Sequence, residues 1–124
     1  METGISLWVS QWAARQPDKV VVTFGDRRVT WGEFDEGVTR FANVLAGLGV
    51  DKGTRVGLLM RNCPEFLQIF WSVVRRGGIF VPLNVHLAPS ELAWIVDNAG
   101  IEVLVTDPSF DATVAAVRDR VGVR

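Results

Sequence analysis

The only histidine of the chain, His86, lies in IFVPLNVHLAPSEL, residues 79–92. An apolar run stops at Asn84, crosses Val85 and His86, and restarts as a helix at Ala88-Pro89. In open α/β sheets, ligands gather beyond the carboxyl ends of strands, and IFVPL reads as such a strand. The start of a helix also carries backbone N–H groups with no partner inside the helix. Asn84, Val85 and His86 are therefore the candidate ligand-binding residues.

The remaining residues with chemical potential have structural explanations. Gly47, Gly49 and Gly53 spell G-x-G-x-x-x-G. A dinucleotide fingerprint must follow a strand and open a helix, whereas these glycines close a helix and precede a strand. Cys63 lies in the first turn of a helix, where the dipole favours a thiolate. It has no neighbouring histidine or lysine in sequence, so packing accounts for it. His86 has no companion histidine or cysteine, which argues against a metal site. No carboxylate spacing points to an acid–base pair. Glu33 and Glu65 read as helix caps, and Asp97, Asp107 and Asp111 as residues at element ends.

The elements that must position the loop are legible in outline. ISLWVSQWAARQ is a first helix, stopped before Pro17, with Trp8 and Trp12 on one face. KVVVTF and RRVT around Gly25-Asp26 form a hairpin. Thr30 and Glu33 have the capping-box spacing, and Trp31, Phe34, Val38, Phe41, Leu45 and Leu48 follow as one helical stripe. RVGLLM is a strand. Asn62 with Glu65 is read as a second cap, opening a helix that carries Phe66, Leu67, Ile69, Phe70, Val73 and Val74. Arg75-Arg76 stands at the end of that helix, where cations complement the dipole. IFVPL, a helix burying Leu92, Ile95, Val96 and Ala99, the strand IEVLVTD, the turn DPSF and a helix FDATVAAVRDRV complete the order. VGVR reads as the start of another strand. Alternation of this kind implies a mostly parallel sheet with helices on both faces, behind an N-terminal β-hairpin.

Bulk properties narrow the class further. Apolar residues make up 48% and charged residues 22% of 124, which suits one packed domain. The net charge of -1 argues against a general nucleic-acid binder. One cysteine excludes an internal disulfide, and no stretch approaches the ~18 apolar residues of a membrane span. The N-terminus has no basic leader and no long apolar core, so a cytoplasmic location is expected.

Four stretches taken together are similar to a known family. PDKVVVTFGDRRVTWGEF, LAGLGVDKGTRVGLLMRNCPEF, VVRRGGIFVPLNVHLAPSEL and NAGIEVLVTD resemble, in that order, the N-terminal region of the AMP-forming acyl-CoA synthetases. This adenylating superfamily includes fatty-acid and 4-coumarate CoA ligases and luciferases. The resemblance implies that residues 1–124 are the N-terminal part of the AMP-binding domain, with the catalytic core and the C-terminal domain outside them. It implies ATP, magnesium and coenzyme A for the full-length enzyme, and no cofactor held by this segment alone. The family's Ser/Thr/Gly-rich phosphate loop and catalytic lysine are not among these residues, so the segment alone is expected to be inactive.

By position, the resemblance places Asn84, Val85 and His86 beside the nucleotide end of coenzyme A. Many relatives have arginine where His86 stands, and a Ser/Thr helix cap where this chain has Ala88. That loss of a cap costs about 1 kcal/mol locally. The partners implied are the remainder of a split ligase, or a second copy joined through an exposed sheet edge. The alternative function is a non-catalytic interaction module that keeps the fold, with Trp71 and Trp94 as candidate surface markers.

Overall fold

A computed structural model describes residues 4–119. A 3-10 turn at Gly4–Leu7 leads into helix α1 (Trp8–Arg15). The hairpin is β1 (Val20–Phe24) and β2 (Arg27–Thr30), antiparallel, with an irregularity between Val20 and Val22. Then follow α2 (Trp31–Gly47), β3 (Arg55–Leu59), α3 (Pro64–Arg75) and β4 (Ile79–Pro82). The last elements are α4 (Pro89–Asn98), β5 (Val103–Thr106), a 3-10 turn at Pro108–Phe110 and α5 (Asp111–Arg118). The C-terminal VGVR, read as a strand start, lies outside the described residues.

Strands β3, β4 and β5 form a parallel sheet in the order β4-β3-β5. The expected α/β class with a separate hairpin is what the chain adopts. The central strand divides its side chains between two cores, as period-two alternation requires. Val56 and Leu58 face Leu45 of α2 and Ile69 and Val73 of α3. Leu59 faces Leu92 and Val96 of α4, with Phe110 and Val117 beyond. Gly57 points the same way as Leu59, and a Cβ there would sit 2.9 Å from Ile101 Cδ1. The strand gives up a side chain at that point so that Ile101 can close over it.

The α2 cap forms as read. The Thr30 hydroxyl accepts from the Glu33 N–H at 3.2 Å, and the Glu33 carboxylate accepts from the Thr30 N–H at 2.9 Å. Of the α2 stripe, Phe34, Val38 and Leu45 are buried and Leu48 is not. Gly49, at φ 84°, adopts the left-handed conformation that lets the chain turn back into β3. In α4, Ala88 is the N-cap residue and supplies no side-chain acceptor. Glu91 forms the other half of the box, its carboxylate accepting from the Ala88 N–H at 3.0 Å.

The second cap differs from its reading. Cys63, not Asn62, is the N-cap residue of α3, and its side chain makes no capping bond. Its sulfur points at Met60 Sδ, 3.8 Å away, which is a packing contact. Glu65 reaches across to the hairpin turn. Both its oxygens accept from the Arg27 guanidinium, at 3.0 and 2.7 Å. A bidentate pair between two charged groups outcompetes a single bond from a backbone N–H.

Pairing with Arg27 holds the Glu65 carboxyl below its ordinary pKa, against a smaller opposing effect of burial. A carboxylate depressed in the folded state stabilises above its unfolded pKa, and that contribution is lost as pH falls through its folded value. Urea titrations of wild type and Glu65→Gln should therefore diverge at neutral pH and converge under acid. A gap that persists in acid would mean that packing, not the ion pair, sets the difference.

Candidate functional site

The loop after β4 begins with a tight local turn. The Asn84 carboxamide oxygen accepts from the His86 N–H at 2.9 Å, and the Asn84 carbonyl accepts from the Leu87 N–H at 3.3 Å. Asn84 thus spends one side-chain atom shaping the loop, the common role of Asn in turns. Its NH₂ group is left to act as a donor. Asn84 and His86 are exposed and Val85 is half-buried.

The loop lines a cavity of about 500 Å³. The opposite wall comes from the residues just after β3, namely Met60, Arg61 and Asn62. Phe66, Leu83 and Phe110 supply apolar lining. The Arg61 guanidinium carbon lies 5.8 Å from the centre of the Phe110 ring, within range of a cation–π contact. The cavity therefore sits at the adjacent carboxyl tips of two parallel strands, where open α/β sheets place ligands.

All three expected residues, Asn84, Val85 and His86, meet in this cavity, and the structure adds Arg61, Asn62 and Phe110 to them. Arg61 is the one permanently charged side chain in the lining. The signal for it was available: the β3–α3–β4 order makes β3 and β4 neighbours, so both of their tips face one crevice.

The start of α4 does less than its position promised. Pro89 opens the helix without an N–H, and Glu91 folds its own carboxylate over the helix entry. A bound anion would meet that negative charge, so positive character here comes from Arg61. Asp107, at the tip of β5, accepts from the Ser109 N–H at 2.8 Å and from the Ser109 hydroxyl. The Ser109 bonds, with Arg61 contributing, hold the Asp107 carboxyl below its ordinary range.

A second cleft, about 350 Å³, lies where α1, α2 and α3 meet. Its two arginines are already committed. Arg75 pairs with Asp35 at 2.8 Å, and Arg76 donates to the Val50 carbonyl at 3.2 and 3.1 Å. This cleft is a structural seam. Trp71 is half-buried, packed between Trp8 and Phe70, whereas Trp94 is 66% exposed. Among the described residues no cluster of His, Cys, Asp and Glu could hold a metal ion, and no helix is long and apolar enough to cross a membrane.

A parallel sheet of this order, with its crevice at the β3 and β4 tips, is the frame of an open α/β ligand-binding domain. The chain belongs to the AMP-binding enzyme family, whose pattern it matches over residues 9–123. It is 38% identical over 84 residues to the crotonobetaine/carnitine–CoA ligase of Salmonella typhimurium, covering 68% of this chain and 16% of that protein. Among solved structures it resembles a Mycobacterium tuberculosis fatty acyl CoA synthetase, with TM-score 0.86 and 30% identity over 96% of this chain and 24% of the other. It also resembles the o-succinylbenzoate coenzyme A synthetase of Bacillus subtilis in complex with AMP, with TM-score 0.84 and 26% identity over 94% and 30% of the two chains. The chain thus spans less than a third of each of these relatives.

Proposed function

We propose that the chain is the N-terminal part of the AMP-binding domain of an acyl-CoA ligase. Such an enzyme joins a carboxylate to ATP with loss of pyrophosphate, then transfers the acyl group to the thiol of coenzyme A and releases AMP. The observation that carries this reading is the family match across residues 9–123, shared with relatives that are themselves CoA ligases. Within the enzyme, this segment is scaffold and one wall of a ligand crevice. ATP and magnesium are assigned no residues here. The setting proposed is the cytoplasm.

Residues 1–124 contain no Ser/Thr/Gly-rich phosphate loop. Charge building up on the reacting α-phosphate of ATP needs a preorganised cradle of donors, which that loop would supply. The purified 124-residue chain is expected to show no ATP–pyrophosphate exchange with a panel of carboxylic acids. Measurable exchange would overturn the assignment of scaffold.

The crevice fits the nucleotide end of coenzyme A. Arg61 offers a fixed guanidinium to a phosphate, Asn84 an amide donor, and Phe110 an apolar face. His86 stands at the rim. Calorimetric titration of coenzyme A should show binding to the chain that Arg61→Ala weakens about tenfold, the worth of one charge-assisted contact. His86→Ala should weaken it less. Equal binding by all three proteins would remove the crevice from the coenzyme site.

A second reading, a non-catalytic interaction module, draws on Trp94. Its exposed ring borders a shallow apolar groove with Leu87 and Ile95. Partner capture by tagged wild type but not by Trp94→Ala would favour this reading. The partner proposed first is the remainder of a ligase polypeptide, and self-association through a sheet edge comes second.

A further inference from the structure

The stretch DPSF, residues 107–110, is a turn whose last side chain enters the crevice at the strand tips. The Asp107 carboxylate accepts from the Ser109 N–H at 2.8 Å, and the Asp107 carbonyl accepts from the Phe110 N–H at 3.1 Å. An Asp that closes on the backbone two residues on fixes the course of such a turn. Phe110 is 8% exposed and packs in one cluster with Leu59, Leu92 and Val117. Turn and core together therefore fix where its ring stands. Over that ring lies Arg61, its guanidinium carbon 5.8 Å from the ring centre.

Arg61 is held differently from the arginines that tie elements together. Arg27 spends both arms of its fork on Glu65. Arg55 donates to the Ala99 carbonyl at 2.9 Å. Arg75 and Arg76 donate to Asp35 and to the Val50 carbonyl. Among the described residues the Arg61 guanidinium forms no hydrogen bond and no ion pair, and its contact is with the Phe110 ring. An aromatic face attracts a cation without accepting its N–H groups as a carboxylate would. A guanidinium held in this way keeps its five donors for an incoming phosphate. An arginine also loses rotamer freedom when it grips a ligand, and contact with a fixed ring removes part of that loss beforehand.

We infer that Phe110 is a positioning residue of the crevice: its ring, set by the Asp107 turn, holds the Arg61 guanidinium ready for a phosphate of coenzyme A and leaves its N–H donors unspent. The tip of β5 thereby takes part in the site through Arg61, beside the tips of β3 and β4. The inference rests on the coenzyme reading of the crevice and adds to it the residue that sets how tightly the phosphate is gripped.

The test is a cycle of four proteins titrated with coenzyme A by calorimetry: wild type, Phe110→Leu, Arg61→Ala and the double variant. Leucine keeps apolar contact with the core and removes the ring. Phe110→Leu should weaken binding about threefold where Arg61 is present, and the double variant should bind like Arg61→Ala. Phe110→Tyr keeps a ring of the same size and should bind like wild type. A similar loss in both backgrounds would overturn the inference, because Phe110 would then act by packing alone. Wild-type affinity in Phe110→Leu would overturn it too. A second measurement needs no ligand. In the proton NMR spectrum of the free chain, the Arg61 Hδ signals should lie upfield under the ring and move downfield in Phe110→Leu. Unmoved signals would overturn the inference. Signals that move, in a chain that binds no coenzyme A, would fail the coenzyme reading and uphold the hold of Phe110 on Arg61. Binding that responds to Arg61→Ala but not to Phe110→Leu would do the reverse.

Discussion

Leu58→Ala should destabilise the chain by about 2–5 kcal/mol, the range for deleting a fully buried leucine side chain. Leu58 has 0% exposure and sits on the central strand, against Ile69 and Val73 of α3 and Val103 of β5. Its neighbours belong to two different elements, so they cannot all collapse into the void. That places the cost toward the upper part of the range. Val44→Ala is the control. Val44 is 60% exposed on α2, and its truncation should shift stability by no more than ~0.5 kcal/mol. Urea unfolding followed by tryptophan fluorescence reads both, with unchanged slope and a displaced midpoint for Leu58→Ala. Because a domain has only ~5–15 kcal/mol in hand, the variant is expected to be partly unfolded in dilute buffer at warm temperatures. Equal midpoints for the two variants would mean that β3 is not the centre of the fold.

What the sequence made legible was local or periodic. The Thr30–Glu33 box and the α2 stripe lie within a few turns of one helix; the box formed as read, and the stripe holds as far as Leu45, with Leu48 exposed past the helix end. The β3–α3–β4 and β4–α4–β5 order follows from alternation, with strand limits shorter than the runs read as strands by one to three residues. Non-local competition was not legible. Glu65 has the spacing of a cap, but Arg27, 38 residues away, reaches it with two hydrogen bonds. In α3 the apolar pattern pointed to Leu67, which is exposed, while the polar Gln68 and Ser72 are buried. The reason lies on α2. Gly37 leaves a notch filled by the Gln68 amide, where a Cβ would lie 2.1 Å from Nε2. Ser72 settles its hydroxyl on the Ile69 carbonyl at 2.7 Å. The Gln68 fit is not visible until two helices are laid side by side, whereas the Ser72 bond is internal to α3. The candidate site divides the same way: the loop after β4 is marked by its own composition, whereas Arg61 joins it only through the pairing of two strand tips.

The seam formed by Arg75 gives the other large expected effect. Its guanidinium donates to Thr39 Oγ1 at 2.9 Å, to Ser10 Oγ at 3.0 Å and to Asp35 Oδ1 at 2.8 Å. One side chain at the end of α3 therefore ties down both α1 and α2. Placing it there also complements the negative end of the α3 dipole. The ion pair is neither free nor deeply buried, with side chains 21% and 29% exposed. Solvent screening reduces it below the ~3–5 kcal/mol lost on breaking a fully buried pair. Arg75→Gln is expected to cost about 1–3 kcal/mol, and Asp35→Asn somewhat less, since Ser10 and Thr39 still accept from the remaining arginine. If the four groups act as one network, the double variant should cost less than the two single losses added, with a coupling of ~0.5–3 kcal/mol. Urea midpoints of the four proteins in that cycle measure it. Strict additivity would show that Arg75 holds α1 and α2 by packing of its stem, and that the charges at the seam contribute nothing jointly.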